Sequence, residues 1–241
     1  MATVLPYDDD QGGKKAQVRQ MFDNIAGTYD PLNRVLSFGI DQGWRKKLIA
    51  RVRKHAPASV IDIATGTGDL AVAVAQATPA QVVGLDLSPN MLQVGKGKVA
   101  AKHLQNRVEM VVGDSEALPY PDACFDAATV AFGVRNFEDL PKGLAEIRRV
   151  LKPGGKLWVL EFGRPANPLV RWGYNFYSFT LLPFVGKLVS KDARAYSYLP
   201  ESVRAFPSGS AFTSVMEQVG FKSPTFRPLT FGICMLYEGS V

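Results

Sequence analysis

The chain has 241 residues, 46% hydrophobic and 21% charged, which is ordinary for one folded domain and excludes a disordered or repetitive chain. Its net charge of +6 is a mild excess that fits nucleic acid, an anionic membrane surface or neither. Two distant cysteines exclude a disulfide framework and favour a reducing compartment, and two histidines exclude a His-rich metal site and most Ser-His or Cys-His nucleophile chemistry.

The N-terminal part predicts a tail followed by helices. Residues 1–13 contain three consecutive aspartates and no apolar run, so we expect no signal peptide, and no apolar run in the chain reaches the roughly 18 residues of a membrane span. Helical periodicity predicts one helix on Val18 and Ile25 and another on Trp44 and Val52. Residues 29–33 between them are predicted to be irregular. The cations from Arg45 to Lys54 are interpreted as a solvated helix face, with a membrane-surface patch as the alternative.

Strands and helices alternate at short intervals from residue 59 onward. Apolar runs predict strands over residues 59–64, 82–86, 108–112, 125–132 and 156–162. Ser88 and Pro89 are predicted to be the N-cap and first residue of one intervening helix, and Pro153 is predicted to end another. The alternation predicts an α/β fold in which helices cover both faces of a mostly parallel sheet.

The segment 163–207 departs from this alternation, because it is rich in aromatic residues and interrupted by prolines. We predict that it is a helical insertion covering the site. A final helix ending at Gly220 and two partly antiparallel strands over residues 221–226 and 232–238 are predicted to close the sheet. Residues 1–241 are therefore interpreted as one domain, with residues 14–55 as an N-terminal helical cap on the substrate side.

A Gly-x-Gly turn follows the first strand, where open α/β sheets bind nucleotide-like cofactors. Gly66 and Gly68 formally match a dinucleotide fingerprint, which keeps an NAD-binding oxidoreductase as one alternative. Asp69, at the start of the next helix, would repel a pyrophosphate, and Asp62 adds negative charge nearby. The turn therefore predicts a ligand with ribose hydroxyls, positive charge and no phosphate, which fits S-adenosylmethionine.

Two further acidic positions lie at the carboxyl ends of the next strands. Asp86 is predicted to accept both ribose hydroxyls, and Asp114 with Ser115 to bond the adenine amine. Either acid alone could merely cap a helix, but both beside the glycine turn favour a ligand. The predicted cofactor-binding residues are Asp62, Thr65, Gly66, Thr67, Gly68, Asp86, Leu87, Asp114 and Ser115.

These motifs, together with Arg149-Val150-Leu151-Lys152-Pro153-Gly154-Gly155, resemble those of class I S-adenosylmethionine-dependent methyltransferases. The resemblance implies a Rossmann-like three-layer α/β fold whose seven-stranded sheet has the order 3-2-1-4-5-7-6 with strand 7 antiparallel. It also implies S-adenosylmethionine as methyl donor, S-adenosylhomocysteine as product and no metal.

Three other segments resemble the ubiquinone/menaquinone biosynthesis C-methyltransferases. They are Tyr29-Asp30-x-Leu32-Asn33-x-x-x-Ser37-x-Gly39 with Trp44-Arg45-Lys46, then Phe132-Gly133-Val134-Arg135-Asn136, then residues 178–183 with Tyr196-x-Tyr198-Leu199-x-x-Ser202-Val203. The match extends from about Val18 nearly to the C-terminus. Asp41 stands where the family usually has His, and Arg34 where it often has Asp.

The resemblance implies methyl transfer to a ring carbon of a polyprenylated quinol, with Tyr29, Arg135 and Asn136 as catalytic residues. Because guanidinium stays protonated, we expect Arg135 to stabilise a developing phenolate while Asn136 orients a water that removes the proton. Tyr29 would bond the quinol oxygen or close over the cofactor. The alternatives are a surface ion pair of Arg135 with Glu138 or Asp139 and helix-end packing of Tyr29. Asp41 is a further candidate base.

Demethylmenaquinol is the preferred substrate. The alternatives are 2-methoxy-6-polyprenyl-1,4-benzoquinol and another small phenol, sterol or lipid. We expect a cytoplasmic protein with no nucleic-acid partner. An isoprenoid tail requires contact with a membrane, which the aromatic insertion and the basic helix faces would make peripherally. The same aromatic residues would otherwise serve as core and homodimer contacts, and the sequence leaves both readings open.

Overall fold

The computed structural model describes residues 4–7, 12–181, 192 and 194–241. Within these ranges a seven-stranded sheet has the order β3-β2-β1-β4-β5-β7-β6, with β7 antiparallel to its neighbours, which confirms the predicted fold class. The strands are β1 (Ser59–Ile63), β2 (Gln81–Asp86), β3 (Val108–Val112), β4 (Phe125–Ala131), β5 (Leu151–Phe162), β6 (Lys222–Leu229) and β7 (Cys234–Ser240).

Helices cover both faces of the sheet. They are α1 (Lys14–Ile25), α2 (Tyr29–Leu36), α3 (Ile40–His55), α4 (Asp69–Ala77), α5 (Pro89–Ala101), α6 (Leu140–Val150), α7 (Pro168–Phe176), α8 (Arg194–Ala205) and α9 (Ser210–Gln218). Side chains alternate between faces along a strand, so Ile61 packs with α6 and α9 while Val60 packs with α3, α4 and α5. Every helix in the described part of the chain is too short or too polar to cross a bilayer.

Two local predictions were wrong. Residues 29–33 were expected to be irregular, but they form the first part of α2. Pro31 lies in the first turn of that helix, where a missing N–H costs nothing, and Leu32 is buried against the neighbouring helices. Strand β5 begins at Leu151 and not at 156, because a register shift opposite Phe125 and Ala127 accommodates the Pro-Gly-Gly segment within the strand.

The predicted helix ends of α5 and α9 are confirmed. The Ser88 hydroxyl accepts the Met91 N–H as N-cap, with Pro89 as the first helical residue. Gly220 has a φ of +95° and donates to the Glu217 carbonyl, which closes α9 in the left-handed conformation that glycine favours.

A third apolar cluster joins the N-terminal helices to the insertion above the carboxyl ends of the strands. Val18, Met21 and Ile25 of α1 pack with Leu32 of α2 and with Ala195, Tyr196 and Tyr198 of α8. Within the insertion, α7 continues into a π-helical turn, Tyr177–Leu181. Residues 182–191 and 193 lie outside the described residues, and with them Pro183 of the third family-like segment.

Candidate active site

The glycine turn after β1 has a fixed backbone conformation. Ala64, Gly66 and Gly68 have φ values of +51°, +57° and +76°. These values lie in the left-handed region of backbone conformations, which residues other than glycine rarely adopt. A Cβ on Gly68 would lie 2.8 Å from the Met110 methyl carbon. The Thr65 N–H donates to the Leu85 carbonyl at 3.0 Å, which joins the turn to β2. The backbone conformation therefore favours glycine at positions 66 and 68, and the space beside Gly68 is in addition occupied by Met110.

Asp62 lies behind this turn. Its buried carboxylate accepts hydrogen bonds from the hydroxyls of Thr65 and Thr129, both at 2.6 Å. Burial raises the pKa of Asp62 to about 6, although both hydrogen bonds act to lower that pKa. The structure thus uses the predicted residues Asp62 and Thr65 to hold the turn from within the fold.

Asp86 lines a cleft between α1 and the segments that follow β2, β3 and β4, and residues 65–68 of the glycine turn are not among its lining residues. Its two oxygens accept the N–H groups of Gly66 at 2.7 Å and Ser88 at 2.9 Å, and burial raises the pKa of Asp86. Leu87 and Ser115 line the same cleft. The Gly66 N–H, which a phosphate would need, is therefore already taken by a carboxylate.

Asp114 contacts α1. One of its oxygens accepts the Glu116 N–H at 2.9 Å, and the other lies 2.7 Å from the Lys15 ammonium, which also contacts Glu116. Glu116 in turn accepts the N–H groups of Glu138 and Asp139. Lys15 and Glu116 were not predicted as site residues, and together they hold α1 across the cleft.

The cleft encloses about 510 Å³, including the part open to solvent, and combines acidic and amide groups with apolar walls. Both cations that line it are paired, Lys15 with Asp114 and Arg19 with Asp23. A flat base and ribose hydroxyls suit this lining. The lining residues include Val18, Phe22, Leu85, Asp86, Leu87, Ser88, Ser115, Glu116, Asn136 and Phe137.

Asp69 does not act as the isolated negative charge that the sequence suggested. It forms an ion pair with Lys98 of α5, whose ammonium also lies 2.6 Å from Asp30 and 2.8 Å from the Thr67 hydroxyl. Thr67 donates to Asp30 at 2.6 Å. The case against a pyrophosphate therefore rests on Asp86, and the Lys98 network fastens the glycine turn to α2.

A second, larger cavity adjoins the cleft. It encloses about 1400 Å³, including the part open to solvent, and is lined mainly by aromatic and aliphatic side chains of α1–α3, β4, β5 and the insertion. Phe22 lines both cavities. Asn136 lines the cleft while Arg135 lines the larger cavity, so one short turn, Val134–Asn136, separates the two spaces.

Arg135 is held by a buried carboxylate that was not among the predicted site residues. Its guanidinium, 8% exposed, lies 2.9 Å from Glu161, which is 0% exposed. It also donates to the Phe132 carbonyl and to the Ser202 hydroxyl at 3.3 Å. The alternative of a surface ion pair with Glu138 or Asp139 is therefore wrong. A strand-end acid fixes the cation at the cavity wall.

Tyr29 and Asn136 lie close to Arg135. Burial raises the pKa of the Tyr29 phenol, and the charges of Arg135 and Arg45 act in the opposite direction. The Asn136 carbonyl oxygen accepts the Tyr198 hydroxyl at 3.1 Å, and burial raises the pKa of Tyr198 to about 12, so that phenol remains a donor. The structure brings Tyr29 and Arg135 to one cavity and Asn136 to its border.

Asp41 and Arg45 form one wall of the larger cavity. Asp41 accepts the Ser37 hydroxyl at 2.6 Å and lies 3.5 Å from the Arg45 Nε. Lys46 and Lys47 are exposed, whereas Arg45 is only partly so. The interpretation of all the α3 cations as a solvated face was therefore wrong for Arg45.

No group of three or more His, Cys, Asp or Glu side chains that could hold a metal ion lies within residues 4–7, 12–181, 192 and 194–241. The polar groups that line the two cavities include carboxylates, phenols, amides and guanidiniums, which bind hydroxyl and phenolate oxygens.

Comparisons with known proteins agree with this arrangement. The family model described as the ubiE/COQ5 methyltransferase family matches residues 10–240. Demethylmenaquinone methyltransferase of Bacteroides fragilis is 48% identical over 98% of this chain and 97% of its own. Ubiquinone/menaquinone biosynthesis C-methyltransferase UbiE of Geobacter sulfurreducens is 45% identical over 94% and 89%. A SAM-dependent methyltransferase structure from Aquifex aeolicus, 19% identical, superposes with a TM-score of 0.57 over 82% of this chain and 96% of its own.

Proposed function

We infer the reaction from the family to which the chain belongs, the ubiE/COQ5 methyltransferase family. The protein is an S-adenosylmethionine-dependent methyltransferase of quinone biosynthesis, which excludes the NAD-dependent oxidoreductase alternative. We propose that its substrate is demethylmenaquinol, because the Bacteroides fragilis relative is named as a demethylmenaquinone methyltransferase. The observation that carries the proposal is the pair of adjoining cavities, one suited to a nucleoside and one large and apolar, which meet at Arg135 and Asn136.

The cleft residues fit S-adenosylmethionine. Asp86 would accept the ribose hydroxyls, Leu87 and Ser115 would contact the adenine, and Asp114 would bond its amine. Gly66 and Gly68 allow the backbone to approach the ligand, and Asp62, Thr65 and Thr67 keep the turn in place. When bound, the cofactor supplies an electrophilic methyl group on a positively charged sulfur and leaves as S-adenosylhomocysteine.

Arg135 supplies the main electrostatic contribution to the reaction. A quinol carbon becomes nucleophilic when the neighbouring hydroxyl loses its proton, and a fixed guanidinium stabilises the phenolate that forms. Glu161 prevents Arg135 from reorienting, because the Glu161 carboxylate accepts hydrogen bonds from both the guanidinium and the backbone N–H of Arg135. The cavity walls exclude water from the reacting pair and hold it in line.

Asn136 assists removal of the phenolic proton, and Tyr29 binds the quinol oxygen. The Asn136 carbonyl oxygen already accepts from Tyr198, which leaves the amide N–H₂ free to orient a water that removes the phenolic proton. Tyr29, between the charges of Arg135 and Arg45, would donate its hydroxyl to the quinol oxygen. These roles are assigned from the positions of Asn136 and Tyr29 at the border between the cavities.

We further propose that residues 14–55 and 163–207 form a substrate-side cap within a single domain, 1–241. Several large apolar side chains of this cap are exposed, among them Phe38 at 80%, Leu169 at 77% and Trp172 at 69%. A quinol with an isoprenoid tail is stored in the bilayer, so these side chains would contact the membrane surface without spanning it. Binding to lipid vesicles tests this contact, and self-association at the same surface would instead indicate a homodimer.

Turnover of two quinols tests the proposed substrate. The protein is incubated with methyl-labelled S-adenosylmethionine and either reduced demethylmenaquinone or 2-methoxy-6-polyprenyl-1,4-benzoquinol, and products are identified by mass. We expect labelled menaquinol. Preference for the benzoquinol would move the chain to the ubiquinone reaction. Absence of labelled product from both quinols, with cofactor binding intact, would refute the proposed activity.

A further inference from the structure

Arg45 has the position of a substrate-binding residue. It follows Trp44, whose ring packs 6.0 Å from Phe132 and whose indole N–H donates to the Thr230 hydroxyl at 2.8 Å. This packing fixes the orientation of α3 at the cavity wall. Arg45 therefore points into the larger cavity while the next residue, Lys46, points to solvent.

The guanidinium of Arg45 has unused hydrogen-bonding capacity. Its Nε is buried and has no hydrogen-bond acceptor among the described residues. The contact with Asp41 at 3.5 Å is close enough to be an ion pair but lacks hydrogen-bond geometry, so we treat it as charge neutralisation only. The Nε is too buried for a ligand to reach, but the Arg45 side chain is 20% exposed and lines the cavity, so the rest of the guanidinium can donate to an oxygen-bearing ligand there.

Arg45 and Arg135 occupy equivalent positions on an aromatic pair. The rings of Phe132 and Phe162 are 4.7 Å apart. The Arg45 guanidinium lies 5.8 Å from the centre of the Phe132 ring, and the Arg135 guanidinium lies 5.5 Å from that of Phe162. Both charges act on the Tyr29 phenol. The larger cavity is thus lined by two cations, one beside each ring of the pair.

We propose that Arg45 binds the second oxygen of the quinol, on the opposite side of the ring from the oxygen bound by Arg135. A 1,4-quinol has two such oxygens, and two guanidiniums would recognise both. The Arg135 oxygen is the one beside the methylated carbon, because Arg135 adjoins the cofactor cleft through Asn136. The proposal rests on the proposed function and makes Arg45 a determinant of specificity for quinols over monohydroxy rings.

Deleting the second oxygen from the substrate tests the contact. Arg45→Met and Arg45→Lys are compared with the wild type on short-chain demethylmenaquinol and on the naphthol that keeps only the hydroxyl beside the methylated carbon. Lys46→Met, which removes an exposed cation from the same helix, is the matched control. Retained affinity for S-adenosylhomocysteine by calorimetric titration verifies that each variant is folded.

Arg45→Met should lower kcat/KM for the quinol by roughly 10- to 100-fold, as expected for a hydrogen bond to a charged group. For the naphthol the loss should stay within about twofold, the spread of independent sites. Arg45→Lys should fall between wild type and Met on the quinol, and Lys46→Met should match the wild type on both rings. If the naphthol turns over too slowly, the affinities of both rings in the presence of S-adenosylhomocysteine give the same comparison.

An equal loss on both rings, or no loss on either, would overturn the assignment of Arg45 to the second oxygen. Methylation of the quinol by the wild type is measured first and tests the proposed function. The comparison of the variants then tests Arg45 separately. If the wild type methylates neither ring, the proposed function fails, and the contact is tested by quinol affinity alone.

Discussion

Replacing Glu161 by Gln should destabilise the protein far more than a surface substitution of the same type. The Glu161 carboxylate is fully buried and accepts the Arg135 guanidinium and the Phe162 N–H, both at 2.9 Å. Glutamine keeps the shape but leaves the Arg135 charge buried without a counter-ion. Breaking one side of a buried pair costs about 3–5 kcal/mol. For a chain of this length that corresponds to a Tm lower by roughly 6–20 °C.

Thermal unfolding followed by circular dichroism measures this loss. Glu146→Gln is the control, since its bidentate ion pair with Arg149 is partly exposed, at 22% and 30%, and should therefore contribute less than the fully buried pair. Adding Arg135→Met to Glu161→Gln removes the orphaned charge and should recover part of the stability. If Glu161→Gln and Glu146→Gln lowered the Tm equally, the buried pair would not be what fixes Arg135.

Three further predictions concern the cleft and its border. Asp86→Ala should weaken S-adenosylhomocysteine binding by about 10- to 100-fold in calorimetric titration, because the ribose hydroxyls lose a charged acceptor. The control variant Asp122→Ala removes an exposed acid and should leave this binding unchanged. Tyr198→Phe should lower kcat by roughly three- to tenfold with unchanged S-adenosylhomocysteine affinity, because Asn136 loses a donor worth about 1 kcal/mol; loss of affinity instead would contradict this. Asp62 has a folded pKa of about 6 against an ordinary 3.8, so the folded state holds this proton more tightly and the contribution of Asp62 to stability falls as pH rises from 4 to 6. In urea unfolding, the free energy of unfolding of Asp62→Asn relative to that of the wild type should therefore rise by up to about 3 kcal/mol from pH 4 to pH 7. If this difference between variant and wild type did not change with pH, the raised pKa of Asp62 would be refuted.

Local sequence patterns predicted the strands of the sheet well. Strands β1 to β4 are short apolar runs, and Ser88 with Pro89 is an unambiguous helix start. Asp86 was identifiable because an acid at the carboxyl end of a buried strand requires an explanation. Glu161 follows the same rule at the end of β5 and could have been found in the same way.

Other residues near the two cavities were not predicted from local patterns. Lys15, Arg45 and Lys98 lie on amphipathic helices, where a cation that faces the interior cannot be distinguished from a solvated one by spacing alone. Only tertiary packing decides which cations turn inward. The helical state of residues 29–33 was missed for a related reason, since Leu32 is stabilised by burial against other helices and not by local preference.

The contacts of Lys98 have a consequence for the order of events in a catalytic cycle. Its ammonium joins Thr67 and Asp69 at the cofactor turn to Asp30 on α2, the helix that also carries Tyr29. We therefore expect a ligand that orders the turn to order α2 as well. Thermodynamic linkage would make such an effect reciprocal, so the methyl donor and the quinol would raise each other's affinity by the same factor. Once the methyl group has been transferred, the methylated quinol and S-adenosylhomocysteine no longer have to favour the same arrangement, and loosening of either site would promote release from the other.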